Sequence, residues 1–141
     1  MTQLSLNQAN LIIIEALKAA RSANYEPMSV IVLDASGHIM AFNREDGASM
    51  FRFNVAQGKA WGAIGMGCSS RALAERAKEN PNFFVTLAAT ADGKFLPQPG
   101  AVLIKDASGN ILGSVGASGG TGDEDEIICT AGVLACGLTT D

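Results

Sequence analysis

The chain has 141 residues, a formal net charge of -4 and one histidine. This length is typical of a single domain with one core, so residues 1–141 are predicted to form one domain. Only 17% of the residues are charged and 48% are hydrophobic, an apolar surplus that favours self-association.

The composition also excludes several classes of partner. The ten Lys and Arg residues are scattered along the chain, so no basic surface for nucleic acid is predicted. The densest apolar run, Leu11–Ile14, ends at Glu15 and is too short for a membrane span. The N-terminal residues lack a signal-peptide pattern, which favours a cytoplasmic location. The three cysteines lack zinc-site spacing, and Cys129 and Cys136 would lie about 10 Å apart on a helix, too far for a disulfide.

The first third of the chain predicts a helix followed by a β-hairpin. Apolar residues recur at helical spacing after Ser5 or Asn7, either of which can cap the helix, and the pattern ends near Asn24. A β-branched run at residues 30–33, an Asp-Ala-Ser-Gly turn and a second apolar run at residues 38–42 then predict two antiparallel strands.

The middle of the chain predicts three helices. The first covers residues 50–66, and its glycines at positions 58, 62 and 65 weaken it but let another backbone approach closely. The second is capped by Ser69 or Ser70 and runs through Lys78. Residues 82–90 are compatible with a short helix or a buried strand, and we favour the helix.

The last third predicts a second hairpin and a closing helix. Residues 101–105 and 111–115 are predicted strands, and residues 123–138 are a predicted helix with acidic residues in its first turn. The turn at residues 106–109 repeats that at residues 34–37 letter for letter, which indicates either an internal repeat or two uses of one favourable turn. Two hairpins among helices predict an α+β fold, a single antiparallel sheet covered by helices.

Several short motifs follow one another in a recognisable order. They are Asp34-x-x-Gly37-His38, Arg44 with Asp46-Gly47, Lys59-Ala60, Ser70-Arg71, Pro99-Gly100, and Gly116-x-Ser118-Gly119 before Asp125-Glu126. In this order the chain resembles, over its whole length, the family of the glycolate-operon accessory protein, the extracellular haem-binding sensor protein and the C-terminal domain of the propanediol-utilisation adenosyltransferase. The resemblance implies a profilin-like fold with a five-stranded antiparallel sheet between helical layers. It also implies dimers and often octamers and, for some members, haem binding or degradation.

His38 is the candidate axial ligand of a haem iron, because it is the only histidine. The alternative is a structural role in the turn, since Asn110 occupies the matching position of the second hairpin and both residue types tolerate unusual backbone angles. The methionines are further candidate ligands, with core packing as the alternative: Met28, Met40, Met50 and Met66.

Lys59 is a candidate for binding a haem propionate or a substrate carbonyl, because apolar neighbours would partly desolvate its ammonium group. An ion pair with Asp or Glu is the alternative. Three arginines have guanidinium groups suited to carboxylates, with surface or interface ion pairs as the alternative: Arg44, Arg52 and Arg71. The family motifs match Arg44 and Arg71, and we therefore assign these two arginines to cofactor binding.

The glycine-rich segment at residues 118–122 precedes the last helix. Acidic residues follow it directly and it lacks the ending of a phosphate-binding loop, so we interpret it as a turn with a helix cap. The alternative is a pocket wall in which Asp125 or Glu126 serves as a general base or cation ligand. We expect a pocket between the loop at residues 116–122, Lys59 and residues 97–100. The residues assigned to cofactor binding in it include Pro99, Gly100, Ser118 and Gly119.

Three functions are compatible with these features. The first is a haem-binding or haem-handling accessory protein that forms a homo-oligomer. The second is an enzyme acting on a small hydroxy acid, diol or aldehyde, with Lys59 and Asp125 or Glu126 as acid and base. The third is a non-catalytic oligomeric scaffold.

Overall fold

Four strands and five helices make up residues 3–140, the part of the chain that the computed structural model describes. In chain order they are α1 (Leu6–Ser22), β1 (Ser29–Asp34), β2 (Ile39–Arg44), α2 (Phe51–Met66), α3 (Ser70–Glu79), α4 (Pro81–Thr90), β3 (Ala101–Lys105), β4 (Ile111–Ser118) and α5 (Gly122–Ala135).

The sheet joins two hairpins through their inner strands. Its strand order is β2-β1-β4-β3, and every neighbouring pair is antiparallel. In the pairing of β1 with β4, Ser29 lies opposite Ser118 and Asp34 lies opposite Gly113. Residues 29–33 of β1 are buried throughout, which is typical of an inner strand covered on both faces.

Helices cover both faces of the sheet. Val30 and Val32 belong to the core beneath α1 and α5, whereas Ile31 and Leu33 belong to the core beneath α2. This alternation follows from the two-residue period of a strand, which sends successive side chains to opposite faces. The predicted α+β fold with a sheet between helical layers is therefore confirmed.

The five-stranded sheet implied by the family resemblance is not confirmed, because the sheet within residues 3–140 has four strands. Beyond the outer edge of β3, a single bridge pairs Lys105 with Thr139. The described segment after Gly137 is too short for a strand. The segment before β3 contains Pro97 and Pro99, which have no amide hydrogen for strand pairing.

The local predictions for helices are largely confirmed. Ser5 rather than Asn7 caps α1, and its side chain accepts a hydrogen bond from the amide of Gln8. The ambiguous segment is a helix, α4, with Pro81 in its first turn, where the missing amide hydrogen costs nothing. The closing helix ends at Ala135, earlier than predicted, near Gly137 in the left-handed conformation.

The two repeated turns have the same hydrogen bonds. The Asp34 carboxylate accepts from the amides of Ser36 and His38 at 2.9 and 3.0 Å. The carboxylate of Asp106 accepts in the same way from the amides two and four residues later. The two hairpins occupy different places in the sheet, because β1 is an inner strand and β3 an edge strand.

Helix α2 packs closely against the segment before β3 through two of its glycines. A Cβ atom at Gly58 would lie 2.9 Å from the Cβ of Leu96 and 3.0 Å from the carbonyl oxygen of Lys94. A Cβ at Gly62 would meet the ring of Phe95, whereas one at Gly65 would meet nothing within 4 Å. Close approach is confirmed at the first two positions and not at the third.

Within residues 3–140, none of the helices combines the length and apolar character needed to cross a bilayer. Cys68, Cys129 and Cys136 are free thiols.

We predict opposite effects for alanine at two glycines of α2. Gly58→Ala should lower the free energy of unfolding, because the new Cβ forces the backbone at Lys94 away from the helix. Gly65→Ala should raise it by about 0.5–1 kcal/mol, because alanine favours the helix and meets no neighbour. Urea unfolding at one fixed protein concentration measures both. Equal stabilisation by the two substitutions would contradict the close packing at Gly58.

Candidate functional site

A buried ion pair lies where α2 approaches the start of α5. The Nζ atom of Lys59 is 2.9 Å from Oδ2 of Asp125, and only 6% and 2% of the two side chains are exposed. Lys59 also donates to the carbonyl of Ala117 at the end of β4, at 3.1 Å. The other oxygen of Asp125 accepts from the amide of Gly120 at 3.0 Å. Two helices and a strand therefore meet at two charged groups.

Gly100 gives the ion pair the space it needs. Its φ is +135°, and a Cβ there would lie 2.6 Å from Nζ of Lys59 and 3.1 Å from the Cβ of Asp125. The Sγ atom of Cys129 lies 3.5 Å from the carbonyl oxygen of Gly100. Burial raises the pKa of the Cys129 thiol far above its usual range, so this cysteine stays protonated and is not a nucleophile.

Opposing effects act on the carboxyl group of Asp125. Burial raises its pKa, because a charge loses water in the interior. The charge and hydrogen bond of Lys59 and the amide of Gly120 oppose the rise without cancelling it. The carboxylate therefore depends on its partner, and removing the ammonium group would leave a charge that the site cannot solvate.

An open cleft of about 380 Å³ lies over this pair. Its walls come from α2, the segment before β3 and the start of α5: Arg52, Val55, Lys59, Leu96, Gln98, Pro99, Ser118, Gly120, Thr121, Gly122, Asp123 and Asp125. Arg52 donates from Nη1 to the hydroxyl of Ser118 at 3.1 Å. Among residues 3–140, no carboxylate forms an ion pair with Arg52.

The structure brings together the three segments from which the sequence predicted a pocket. Lys59, Pro99, Ser118 and Asp125 line the cleft, and Gly100 lies directly behind the ion pair. Gly119 lies between two lining residues, with its backbone packed against Pro27 and Met28.

Three other candidate residues lie elsewhere. Arg71 on α3 forms ion pairs with Asp123 and Glu126, which raise the pKa of its guanidinium group. Glu126 is thus held at the surface between α3 and α5 and does not line the cleft. Arg44 donates to the carbonyl of Ala48 at 2.8 Å, in a separate depression next to the end of β2.

His38 lies at the opposite end of the sheet from the cleft. Its imidazole is 79% exposed, and Nδ1 is 3.4 Å from Oδ2 of Asp34. A strand of six residues such as β1 spans about 20 Å and separates this turn from Ser29, opposite which Ser118 lies. The histidine and the cleft therefore belong to two separate sites.

An apolar cavity lies directly beside the turn that carries His38. Its volume is about 390 Å³, and its lining includes Gly37, Trp61, Ile64, Met66, Leu87 and Phe95. A Cβ at Gly37 would lie 3.2 Å from Nε1 of Trp61, so the turn packs against the indole ring. The ammonium group of Lys94 is 5.9 Å from the centre of that ring.

Two features of these sites were not predicted from the sequence. Arg52 was a candidate for carboxylate binding but was not connected to Lys59, although it precedes Lys59 by seven residues and so lies on the same helix face two turns away. The proximity of Trp61 to the turn of His38 was not predicted either, because residue spacing along the chain does not indicate contacts between a turn and a later helix.

The architecture is that of a small α+β domain, and it is shared with several solved structures. The PduOC–haem complex has a TM-score of 0.87 at 24% identity over 99% of each chain. A double mutant of HbpS from Streptomyces reticuli has a TM-score of 0.82 at 26% identity over 96% of this chain and 88% of its own. Protein ORFY of Klebsiella pneumoniae has a TM-score of 0.87 at 20% identity, over 97% and 93% of the two chains.

The family follows from the sequence itself. The model of the HbpS-like haem-degrading proteins matches residues 4–134, nearly the whole chain. The chain therefore belongs to the HbpS-like haem-degrading family, which confirms the resemblance. A search of curated proteins found no match.

We predict that the buried ion pair is costly to break from one side. Lys59→Met should lower the free energy of unfolding by about 3–5 kcal/mol at neutral pH, because Asp125 is left charged and buried. The pKa of Asp125 in this variant lies further above its unfolded value than in the parent protein. Protonation therefore stabilises the folded variant more as the pH falls. The difference in unfolding free energy between parent and variant should shrink toward acid pH.

Urea unfolding of the parent and variant at several pH values measures this difference. The matched control is the double variant Lys59→Met with Asp125→Leu, which removes both charges and should regain much of the lost stability. A deficit that stays constant with pH would contradict a role for the Asp125 charge.

Proposed function

We propose that the protein binds haem in the apolar cavity beside the β1–β2 turn, with His38 as an iron ligand. The observation that carries the proposal is the position of the β1–β2 turn, because residues 35–37, directly before His38, line this cavity. Nδ1 of the imidazole faces the carboxylate of Asp34, and no group within residues 3–140 forms a hydrogen bond with the other ring nitrogen. Histidines that bind metals commonly contact a carboxylate through the second nitrogen, which fixes the orientation of the ring.

The charge of Asp34 suits this role. Burial alone would raise its pKa, but hydrogen bonds from the amides of His38 and Ser36 outweigh that effect and hold the pKa below its ordinary value. Asp34 is thus a carboxylate at neutral pH. It can accept a hydrogen bond from Nδ1–H of His38, which favours coordination through Nε2.

The cavity has the chemistry that a haem ring requires. Trp61, Ile64 and Phe95 supply an apolar wall, and Lys94 places a positive charge near the indole, where a propionate could pair with it. Its volume lies within the ~300–1,000 Å³ range of small-molecule sites. Met66 also lines the cavity and is the methionine best placed as a second ligand, whereas Met28 is fully buried.

The donor set points to a tetrapyrrole rather than to a bare metal ion. Within the described part of the chain, no three His, Cys, Asp or Glu side chains converge as a metal cage. A porphyrin supplies four ring nitrogens to its iron, so one histidine suffices to anchor it. Membership in the haem-degrading family and the likeness to HbpS, 26% identical, support this choice.

The residues of the chain would divide the work of binding. His38 and Asp34 would orient the iron, the apolar wall would exclude water, and Lys94 would bind a propionate. Bound haem supplies redox chemistry at its iron. Acid–base catalysis on a small metabolite is not favoured, because Lys59 is paired with Asp125 and Glu126 with Arg71.

We also propose that the protein forms a homo-oligomer through the layer of α1 and α5. Large apolar side chains of these helices are about half exposed at its surface: Leu11, Ile14, Ile127 and Leu134. Exposed apolar side chains on one layer are typical of interfaces between copies. This accounts for the hydrophobic surplus of the sequence.

The haem proposal predicts a saturable change in the Soret absorbance when haem is added to the purified protein. His38→Ala should alter the Soret band and weaken binding, because the iron loses its protein ligand. The matched control is Asn110→Ala, which changes the equivalent turn position away from the cavity and should leave the spectrum unchanged. A spectrum of His38→Ala identical to that of the parent protein would remove His38 from the site.

The oligomer proposal predicts that a charge on α5 dissociates the assembly. Ile127→Glu should reduce the mass measured by light scattering after size exclusion, because the carboxylate cannot be buried between copies. Val85→Glu, at a more exposed apolar position on α4, serves as the control and should leave the mass unchanged. Loss of mass in both variants would argue against α1 and α5 as the interface.

A further inference from the structure

Helix α4 and the residue after it form one wall of the apolar cavity beside the β1–β2 turn. Leu87, Thr90 and Ala91 line the cavity on this side, and the rest of the lining comes from α2, the β1–β2 turn and Phe95. A ligand that fills the cavity therefore contacts α4. The way in which this helix is attached to the domain thus bears on access to the cavity.

The polar groups of α4 bond within the helix and its flanks. The helix contains no charged residue, and both of its threonines donate to carbonyls of the helix itself. Within residues 3–140, no hydrogen bond or ion pair joins α4 to another helix or strand. On its C-terminal side, the first hydrogen bond to another element runs from the amide of Leu96 to the carbonyl of Gly58.

Apolar packing is what holds α4 in place. Among its ten residues, all of which the structure describes, only Phe84 is buried. This side chain belongs to a small cluster with Leu73 and Phe95, and its ring stacks on that of Phe95 with centroids 5.8 Å apart. Two further side chains of α4 pack against the cluster and stay partly exposed, and the others are exposed. One aromatic side chain is therefore the main anchor of the helix.

The sequence of α4 makes a weak helix without this anchor. Ten residues are fewer than the ~12–15 that an isolated helix needs in water. Half of them are aromatic or β-branched, and the N-cap residue Asn80 forms no side-chain hydrogen bond with the first turn. The turn after the helix contains two consecutive residues in the left-handed conformation, Asp92 at φ +56° and Gly93 at φ +73°. Non-helical residues thus bound the segment on both sides.

We infer that α4 is a movable wall of the cavity, which detaches from the core as a unit about Asn80 and Asp92–Gly93 and so opens the cavity to a ligand. Local opening requires little free energy where a segment has few apolar contacts and exposed backbone. A ligand seated against Leu87 and Ala91 adds contacts to the closed form and shifts the population toward it. The movement is a property of the chain, and only the identity of the ligand, haem, rests on the proposed function.

Amide hydrogen exchange of the full-length protein without haem tests the movement. We expect the amides of residues 84–90 to exchange at least about tenfold faster than those of α2, because they exchange through a local opening that leaves α2 folded. Sub-denaturing urea should change the exchange of α4 little, because a local opening exposes little surface. Protection of residues 84–90 equal to that of α2 would overturn the inference.

Two buried substitutions separate local opening from unfolding of the whole domain. Phe84→Leu should speed the exchange of residues 84–90 about tenfold, because the closed helix loses packing that the open helix never had. Val133→Ala, in the core on the other face of the sheet, should speed the exchange of α2 but leave that of residues 84–90 unchanged. Equal acceleration of the two helices by Val133→Ala would show that α4 opens only with the whole domain and would overturn the inference.

Exchange in the presence of saturating haem connects the movement with the ligand. Bound haem should slow the exchange of residues 84–90 at least about tenfold, because the open form lacks the contacts of α4 with the ligand. A saturable Soret change that leaves this exchange as fast as before would overturn α4 as a wall of the occupied site, while haem binding itself would stand. Absence of any Soret change would overturn the proposed function, and the exchange of the haem-free protein and its variants would still decide whether α4 moves.

Discussion

The ion pair between Lys59 and Asp125 links the two helical layers of the domain. Lys59 belongs to α2 on one face of the sheet, and Asp125 belongs to α5 on the other, so the pair closes the end of the sheet between them. Because unpaired charges are costly in the interior, the positions around the pair are constrained as well. Gly100 must lack a side chain, and β4 must end where the carbonyl of Ala117 can accept from the ammonium group. The open cleft takes its shape from these requirements.

The local structure could be predicted because it is determined by local patterns. The Asp-Ala-Ser-Gly turns specify both hairpins, since the aspartate accepts from the amides that follow it. Ser5 and Thr121 cap helices whose apolar residues recur at helical spacing. The number of strands could not be predicted in this way. The fifth strand came from family resemblance, and local patterns do not tell whether an edge position is a strand or a single bridge.

The site was predictable in part. Residues 97–100, Lys59 and the loop before α5 were expected to meet, but the carboxylate that would form an ion pair with Lys59 was not identified. A signal was present, because Asp125 precedes the buried residues Ile128 and Cys129 by three and four residues. Glu126 precedes buried Cys129 by three residues but the partly exposed Thr130 by four, which puts it at the edge of that face. The contact of Gly37 with Trp61 could not be predicted, since it depends on how α2 crosses the sheet.

The pairing of β1 with β4 has a consequence for how the chain folds. The hairpins join neighbouring segments, but Ser29 and Ser118 are separated by more than half the chain. Bringing such distant segments together costs loop entropy before any contact compensates for it, so this pairing is expected to limit the folding rate. Until it forms, the apolar residues 30–33 remain exposed along an unpaired strand edge. A newly synthesised chain is thus most prone to aggregation before β4 has emerged from the ribosome.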